Sequence, residues 1–238
     1  AGNNTYDNAV IENSKISEKN KIQNNQSMLD DIMNSTQYPK QLKDLALKNE
    51  EALEFVYDYP AEHVKEHTID LTEEASMDSV PLFVQWDKRW GYEKYSGNFF
   101  AASGCGPTTL SMVVVYLTHN RDASPIAVAK YSKEAGYSVD GSGSSWTLIS
   151  EGCMHYGVKA KAVALDESRM KAELDEGHPI VVNVGPGDFT DTGHFMVITG
   201  YDDEGFSIND PNSIEKSGKR WLFKNISSQI RAVWSMYV

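Results

Sequence analysis

Residues 179 to 211 constrain the fold more than any other part of the chain. Three strand-like runs, "PIVVNV", "HFMVITGY" and "GFSIND", follow one another, separated by a nine-residue connection that opens on the turn sequence "GPGD" and by the turn sequence "DDEG". A parallel neighbour needs a crossover of a dozen or more residues, so connections this short dictate antiparallel hairpins. A further strand lies in "IRAVWSMYV" at the end of the chain. Helical patterns occupy most of the sequence before these runs, and helices followed by an antiparallel sheet define an α+β class.

The most apolar of the helical patterns is "SGCGPTTLSMVVVYL", Ser103 to Leu117, which predicts a helix from about Gly106 to His119. Another follows at Ile126 to Gly136, and "WTLISEGCMHYG" predicts a third, stopped by Gly157. "VKAKAV" alternates as a half-buried strand, "ESRMKAELDEG" reads as a helix closed by Gly177, and "GSGSS" as a flexible loop. Upstream, "VPLFVQWDKRWGY" reads as an apolar strand ending in aromatics. Leu42, Leu45, Ala46, Ala52, Leu53 and Val56 recur at helical spacing, which predicts two short helices broken near Asn49 and stopped at Tyr59-Pro60. Residues 1–27 carry seven asparagines and only isolated apolar positions, the composition of a disordered or loosely attached arm. The expected organisation is thus an arm (1–27), a helical extension with an acidic connector (28–78) and a main domain (79–238). No internal repeat is visible.

A formal net charge of −12 argues against nucleic acid or an anionic membrane as a partner, because most of the exterior would repel them. No apolar run approaches the roughly 18 residues of a spanning helix, so no membrane insertion is expected. The chain opens on Ala1 and not Met, which leaves export open. With two cysteines at a spacing that matches neither a metal pair nor a redox dithiol, both are expected to be free.

Cys105 stands between Gly104 and Gly106 and ahead of Pro107, at the predicted helix start. Unpaired N–H groups and the positive end of the helix dipole favour a thiolate there, and flanking glycines would admit a substrate backbone. A core cysteine with glycines for tight packing reads equally well from these residues alone. A thiolate nucleophile needs an imidazole, and the six histidines are unequal. His63 and His67 share an i, i+4 spacing but lack the glutamate of a metalloprotease helix, so they read as solvated. His119 reads as a helix-end group bonding the last carbonyls, and His155 and His178 have no evident partner. His194 differs in following a Gly-rich loop and opening a strand. Asp210 comes sixteen residues later, at the end of the strand paired by the "DDEG" turn, where its carboxylate can meet the His194 ring. Alternation sends the neighbouring Asn209 to the other face. Gln85 is the side-chain amide best placed in sequence to supply a second oxyanion donor beside the Cys105 N–H. Cys153 reads as a buried apolar residue, and most of Trp86, Trp90, Tyr92, Tyr95, Phe99 and Phe100 as core.

"VPLFVQWDKRW", "SGCGPTTLSMVV" and "GHFMVITGYDDEGFSINDP" together resemble the papain-fold cysteine peptidases related to the bacteriocin-processing, double-glycine-type peptidases, in the stand-alone branch of bacterial secreted and surface proteins. The resemblance covers residues from about 80 to 238, and the helices beginning "YPKQLKDLALKN" resemble segments that accompany this branch. It implies a papain-like fold of a helical subdomain plus an antiparallel sheet, acting as a thiol hydrolase on amide bonds of a peptide or protein substrate. Cys105 would then be the nucleophile, His194 the general base and acid, Asp210 the orienting acid and Gln85 the oxyanion donor. No metal or organic cofactor is implied, and neither is an attached transporter. The same residues serve amidases, deamidases and acyltransferases, and a binding module can keep the fold without turnover.

Overall fold

In a computed structural model the chain is described over residues 3–238, with side chains from Val10 onward, and it divides into two compact units, Ala1–Lys65 and Glu66–Val238. In the first unit, α1 (Asn3–Asn34) packs against α2 (Lys40–Lys48) and α3 (Leu53–Tyr57), and α4 (Tyr59–Glu62) ends it. Ile32, Leu42, Leu45, Ala46, Leu53, Phe55 and Val56 are buried, so the apolar stripe read from the sequence is a core. Asn49 breaks the helices as expected, its side chain accepting the N–H of Glu51 to cap a 3₁₀ turn (Glu50–Ala52). Pro60 starts a short helix instead of ending one, because a first-turn residue has no N–H acceptor to lose. The described part of the arm, residues 3–27, is not irregular but continues α1. Its side chains from Val10 to Ser27 are almost all exposed, and helix propagation from the packed last turns needs no apolar face of its own. The boundary between units thus lies at residue 65, where the sequence suggested breaks near 28 and 79.

The second unit opens with α5 (Thr72–Ala75), a small hairpin of β1 (Lys94–Tyr95) and β2 (Asn98–Phe99), and the turn of helix α6 (Phe100–Ser103). Then come α7 (Cys105–Thr118), α8 (Pro125–Glu134), a second hairpin of β3 (Ser138–Val139) and β4 (Gly143–Ser144), and α9 (Thr147–Ser150). The remainder is β5 (Lys159–Ala162), α10 (Glu167–Asp175), β6 (Ile180–Val184), β7 (His194–Asp202), β8 (Gly205–Asn209), α11 (Ile214–Ser217), β9 (Arg220–Trp221), α12 (Phe223–Ile226) and β10 (Ile230–Tyr237). Six strands form one antiparallel sheet in the order β5-β10-β6-β7-β8-β9. The α+β class read from the sequence is the observed one.

Both faces of this sheet are covered, which explains why β6 reads as an unbroken apolar run. Val181, Phe195, Val197, Trp234 and Met236 join Leu110 and Met112–Val115 of α7 in one core. Ile180, Val182, Val184, Met196, Ile198 and Ile208 face Met170 of α10 and Ile226 of α12 in another. α7 is buried from Gly106 to Val115, so it carries almost no polar stripe. The Thr109 hydroxyl donates to the Phe195 carbonyl at 3.1 Å, locking the first turns of α7 to the start of β7.

Two stretches fold differently from their sequence reading. "VPLFVQWDKRWGY" is a chain of turns and not a strand, although Phe83 and Trp90 are buried as core. Its polar backbone is satisfied piecewise: Gln85 N–H donates to Pro211 O at 2.7 Å, and the Trp90 indole donates to Val84 O at 2.9 Å. The "GSGSS" segment is ordered as β4 of a hairpin, with the Ser96 hydroxyl bonding Val139 O and accepting the Gly143 N–H. The third predicted helix is one turn of α9 followed by a 3₁₀ turn, Gly152–Tyr156.

Asn209 points to the opposite side of β8 from Asp210 and donates its amide to Val80 O and Pro81 O, both at 3.1 Å. Asn209→Ala strands two carbonyls and is expected to lower stability by about 2 kcal/mol, read as a reduced urea midpoint. An unchanged midpoint would show that these bonds do not hold the segment leading to Gln85.

Candidate active site

Cys105 is the first residue of α7 and is partly exposed. The glycines beside it serve packing more than access. A Cβ on Gly104 would lie 2.6 Å from the Phe100 ring, and one on Gly106 would lie 2.5 Å from the Ser144 hydroxyl. The helix start is therefore wedged between α6 and the β4 hairpin, which fixes where the sulfur sits. Tyr95 braces the same corner, its hydroxyl bonded to Ser132 at 2.8 Å and Ser144 at 2.6 Å.

His194 opens β7, paired with Val184, and is 6% exposed. Its Nε2 lies 2.7 Å from Oδ1 of Asp210, which is fully buried. The register explains the meeting: Val197 pairs with Asn209, so Asp210 lies one step beyond the end of β8, diagonal to the first residue of β7. Asp210 Oδ1 also accepts the N–H of Asn212 at 2.8 Å, and the Asp210 N–H donates to Ser217 Oγ at 2.9 Å. Nε2 being engaged by Asp210, Nδ1 is the ring nitrogen left for the Cys105 thiol, and the electrostatics of the two groups are linked.

The electrostatics follow from that arrangement. Burial pushes the Cys105 thiol up, but the hydrogen bond and charge of His194, with the N–H groups of Phe195 and Gly106, outweigh it and hold the thiol below its ordinary value. For His194, burial acts downward and is overcome by the charge and hydrogen bond of Asp210 and by Cys105, so the imidazolium persists well above its ordinary range. Both shifts act in the direction of a thiolate–imidazolium pair. Cys153 is the contrast: fully buried, it has its thiol pushed up to about 11 by desolvation.

Gln85 is 4% exposed, and its Nε2 donates to Ala101 O at 2.8 Å while its N–H bonds Pro211 O. It thus ties α6, at the residue four before Cys105, to the residue after Asp210. One Nε2 hydrogen remains for another acceptor, and Oε1 is buried with no partner.

The other histidines have structural partners. His63 Nδ1 lies 2.6 Å from Tyr59 O. His119 does not bond the last helix carbonyls through its ring: it takes the left-handed conformation as C-cap of α7, and Nδ1 meets Ala75 O at 2.7 Å. His155 stacks on Tyr131 at 4.0 Å, and His178 lies 3.2 Å from Glu173. These last two partners were not evident from sequence, because they are brought in by packing of other elements. Among the described residues no cluster of His, Cys, Asp and Glu could hold a metal ion. Trp90, Tyr95, Phe99 and Phe100 are core, whereas Trp86 and Tyr92 are half-buried.

Residues 77–238 match the model of the Peptidase_C39 like family, so the chain belongs to that family of peptidases. Similar solved structures include the peptidase domain of Streptococcus ComA, a bi-functional ABC transporter involved in a quorum-sensing pathway. It shares 19% identity over 57% of this chain and 90% of its own, with a TM-score of 0.44. A C39-like peptidase from Bacillus anthracis shares 18% identity over 67% of this chain and 95% of its own, with a TM-score of 0.41. No curated protein matches the chain at a significant level.

The pair makes a pH-dependent prediction with a definite sign. The depressed thiol pKa lets the thiolate form as pH rises through a value below the ordinary one, and the raised imidazole pKa keeps its partner charged above the ordinary histidine range. Iodoacetamide at pH 6 is expected to modify Cys105 at least ~100 times faster than Cys153, and His194→Ala to move the Cys105 titration up toward that of a simple thiol. Slow, equal labelling of both cysteines in mass mapping would remove the ion pair.

Proposed function

We propose that the protein is a cysteine peptidase that cleaves peptide bonds through Cys105, His194 and Asp210. The observation that carries this reading is the meeting of His194 with the buried Asp210 carboxylate at 2.7 Å, with Cys105 at the start of α7 electrostatically linked to the same ring. Family membership supports it.

In this mechanism the Cys105 thiolate attacks the amide carbonyl carbon. The developing oxyanion takes the Cys105 N–H, which as the first of α7 lies ahead of the intrahelical ladder, and the remaining Gln85 Nε2 hydrogen. His194 gives its Nδ1 proton to the leaving amine as the C–N bond breaks, leaving a thioester. Water then attacks the thioester, His194 takes its proton, and the C–S bond breaks to return the thiolate. Asp210 holds the ring with Nε2 protonated toward itself, so Nδ1 keeps facing the sulfur, and its charge stabilises the imidazolium. Amidase, deamidase and acyltransferase chemistry would use the same steps with a different donor or acceptor.

Cleavage of a mixed peptide library, read by mass spectrometry, tests the reading. Cys105→Ala is expected to abolish cleavage. Asp210→Ala should lower turnover by roughly 10²–10⁴. Asp210→Asn should lose less, because an amide oxygen still accepts from Nε2 and from Asn212 N–H but does not balance the imidazolium. Gln85→Ala should lower kcat by about 10–10³ with KM little changed. Cleavage that survives Cys105→Ala would sink the proposal.

A further inference from the structure

Arg231 sits at a register shift in β10, between Ile230, paired with Val184, and Ala232, paired with Asn183. A bulge re-aims a side chain, and here it carries the guanidinium over the end of the β6–β7 pair. Arg231 Nε, Cζ and Nη2 lie 2.4–2.6 Å from where a Cβ on Gly185 would be, and Nη1 is 4.0 Å from the same point on Gly193. Gly185 follows Val184, the partner of His194, and Gly193 precedes His194. The guanidinium is therefore laid flat on a glycine platform beside the strand end that carries the imidazole.

Its own partners are few. Nη1 donates to Thr192 O at a long 3.4 Å, and among the described residues no carboxylate forms an ion pair with Arg231. Arg89 and Arg220, by contrast, pair with Asp87 and Glu74 and with Asp202. Asp188 accepts the Gln229 amide at 2.6 Å and forms no ion pair with Arg231. An exposed, flat guanidinium without a carboxylate in a chain of net charge −12 is a local exception to the surface.

We infer that Arg231 is a specificity residue that takes the side-chain carboxylate of an Asp or Glu in the leaving-group half of the substrate. This rests on the peptidase reading, because it is His194 that hands a proton to the leaving amine, which puts that half of the substrate on the His194 side. A planar guanidinium fits a carboxylate with two parallel N–H bonds, and the overall negative field makes such a contact necessary for an acidic segment to approach.

The test compares synthetic peptides that carry Asp, Asn or Lys at each position in turn, with kcat/KM measured for the intact protein. Asp at one leaving-group position is expected to be favoured over Asn by about five- to tenfold, chiefly through KM. Arg231→Gln should bring that ratio below about twofold, Arg231→Glu should turn it toward Lys, and the control Arg220→Gln should leave it in place. A ratio near one in the unmodified protein, or one that survives Arg231→Gln, overturns the inference. If no peptide is cleaved, the peptidase reading fails separately. The same Asp and Asn peptides, titrated by fluorescence anisotropy against Cys105→Ala with and without Arg231→Gln, then decide the role of Arg231: equal binding in all four combinations overturns it.

Discussion

The 2.7 Å contact between His194 Nε2 and Asp210 Oδ1 is the constraint on which the site depends. A fully buried carboxylate is costly unless charge and hydrogen bonds compensate it. His194 and the Asn212 N–H supply both to Oδ1, while Ser217 holds the backbone of the loop. Oδ2 is buried without a partner, so the cost is offset through Oδ1 alone, and only if the β7–β8 hairpin keeps its register, since a slip of one residue would send Asp210 to the face where Asn209 binds Val80 and Pro81. Sheet register and site electrostatics are thus one problem.

The second half of the site reaches this hairpin through α7. Its buried length packs on the sheet face of Phe195 and Val197, and the Thr109 bond to Phe195 O sets its height along β7. Cys105 then stands at the helix start, where His194 holds the thiol below its ordinary value while Asp210, and then Cys105, hold the imidazole above its own. Gln85 closes the ring by bonding both approaches, Ala101 O ahead of Cys105 and Pro211 O after Asp210. Removing any one of these ties loosens the relative position of the others.

Much of this was legible in the sequence because it depends on local signals. The "DDEG" turn and the sixteen-residue spacing bring His194 and Asp210 together, and Gly-Pro after Cys105 marks the start of α7 to within a residue. What escaped depends on contacts that sequence order does not reveal. "VPLFVQWDKRW" has the apolar density of a strand, yet its N–H groups are satisfied by Pro211 O and by local turns. Gly104 and Gly106 looked like room for a substrate, whereas the Phe100 ring and Ser144 fill that room. The Gly-Ser segment ordered as β4 braces the start of α7 at Cys105 through Ser144 and Tyr95, and the asparagine-rich start continues α1 from a packed end. Arg231 carried no sequence signal at all, because a bulge is invisible without the partner strand.

The central claim is that Cys105 forms a covalent acyl intermediate with a peptide substrate. The direct measurement is rapid-quench intact-mass spectrometry during turnover of a cleaved peptide, followed by peptide mapping at low pH. The account predicts a transient mass equal to the amino-side product less water, located on Cys105 and released by hydroxylamine. Steady cleavage with no adduct on Cys105 at any time, even when water is outcompeted and deacylation slowed, would contradict it.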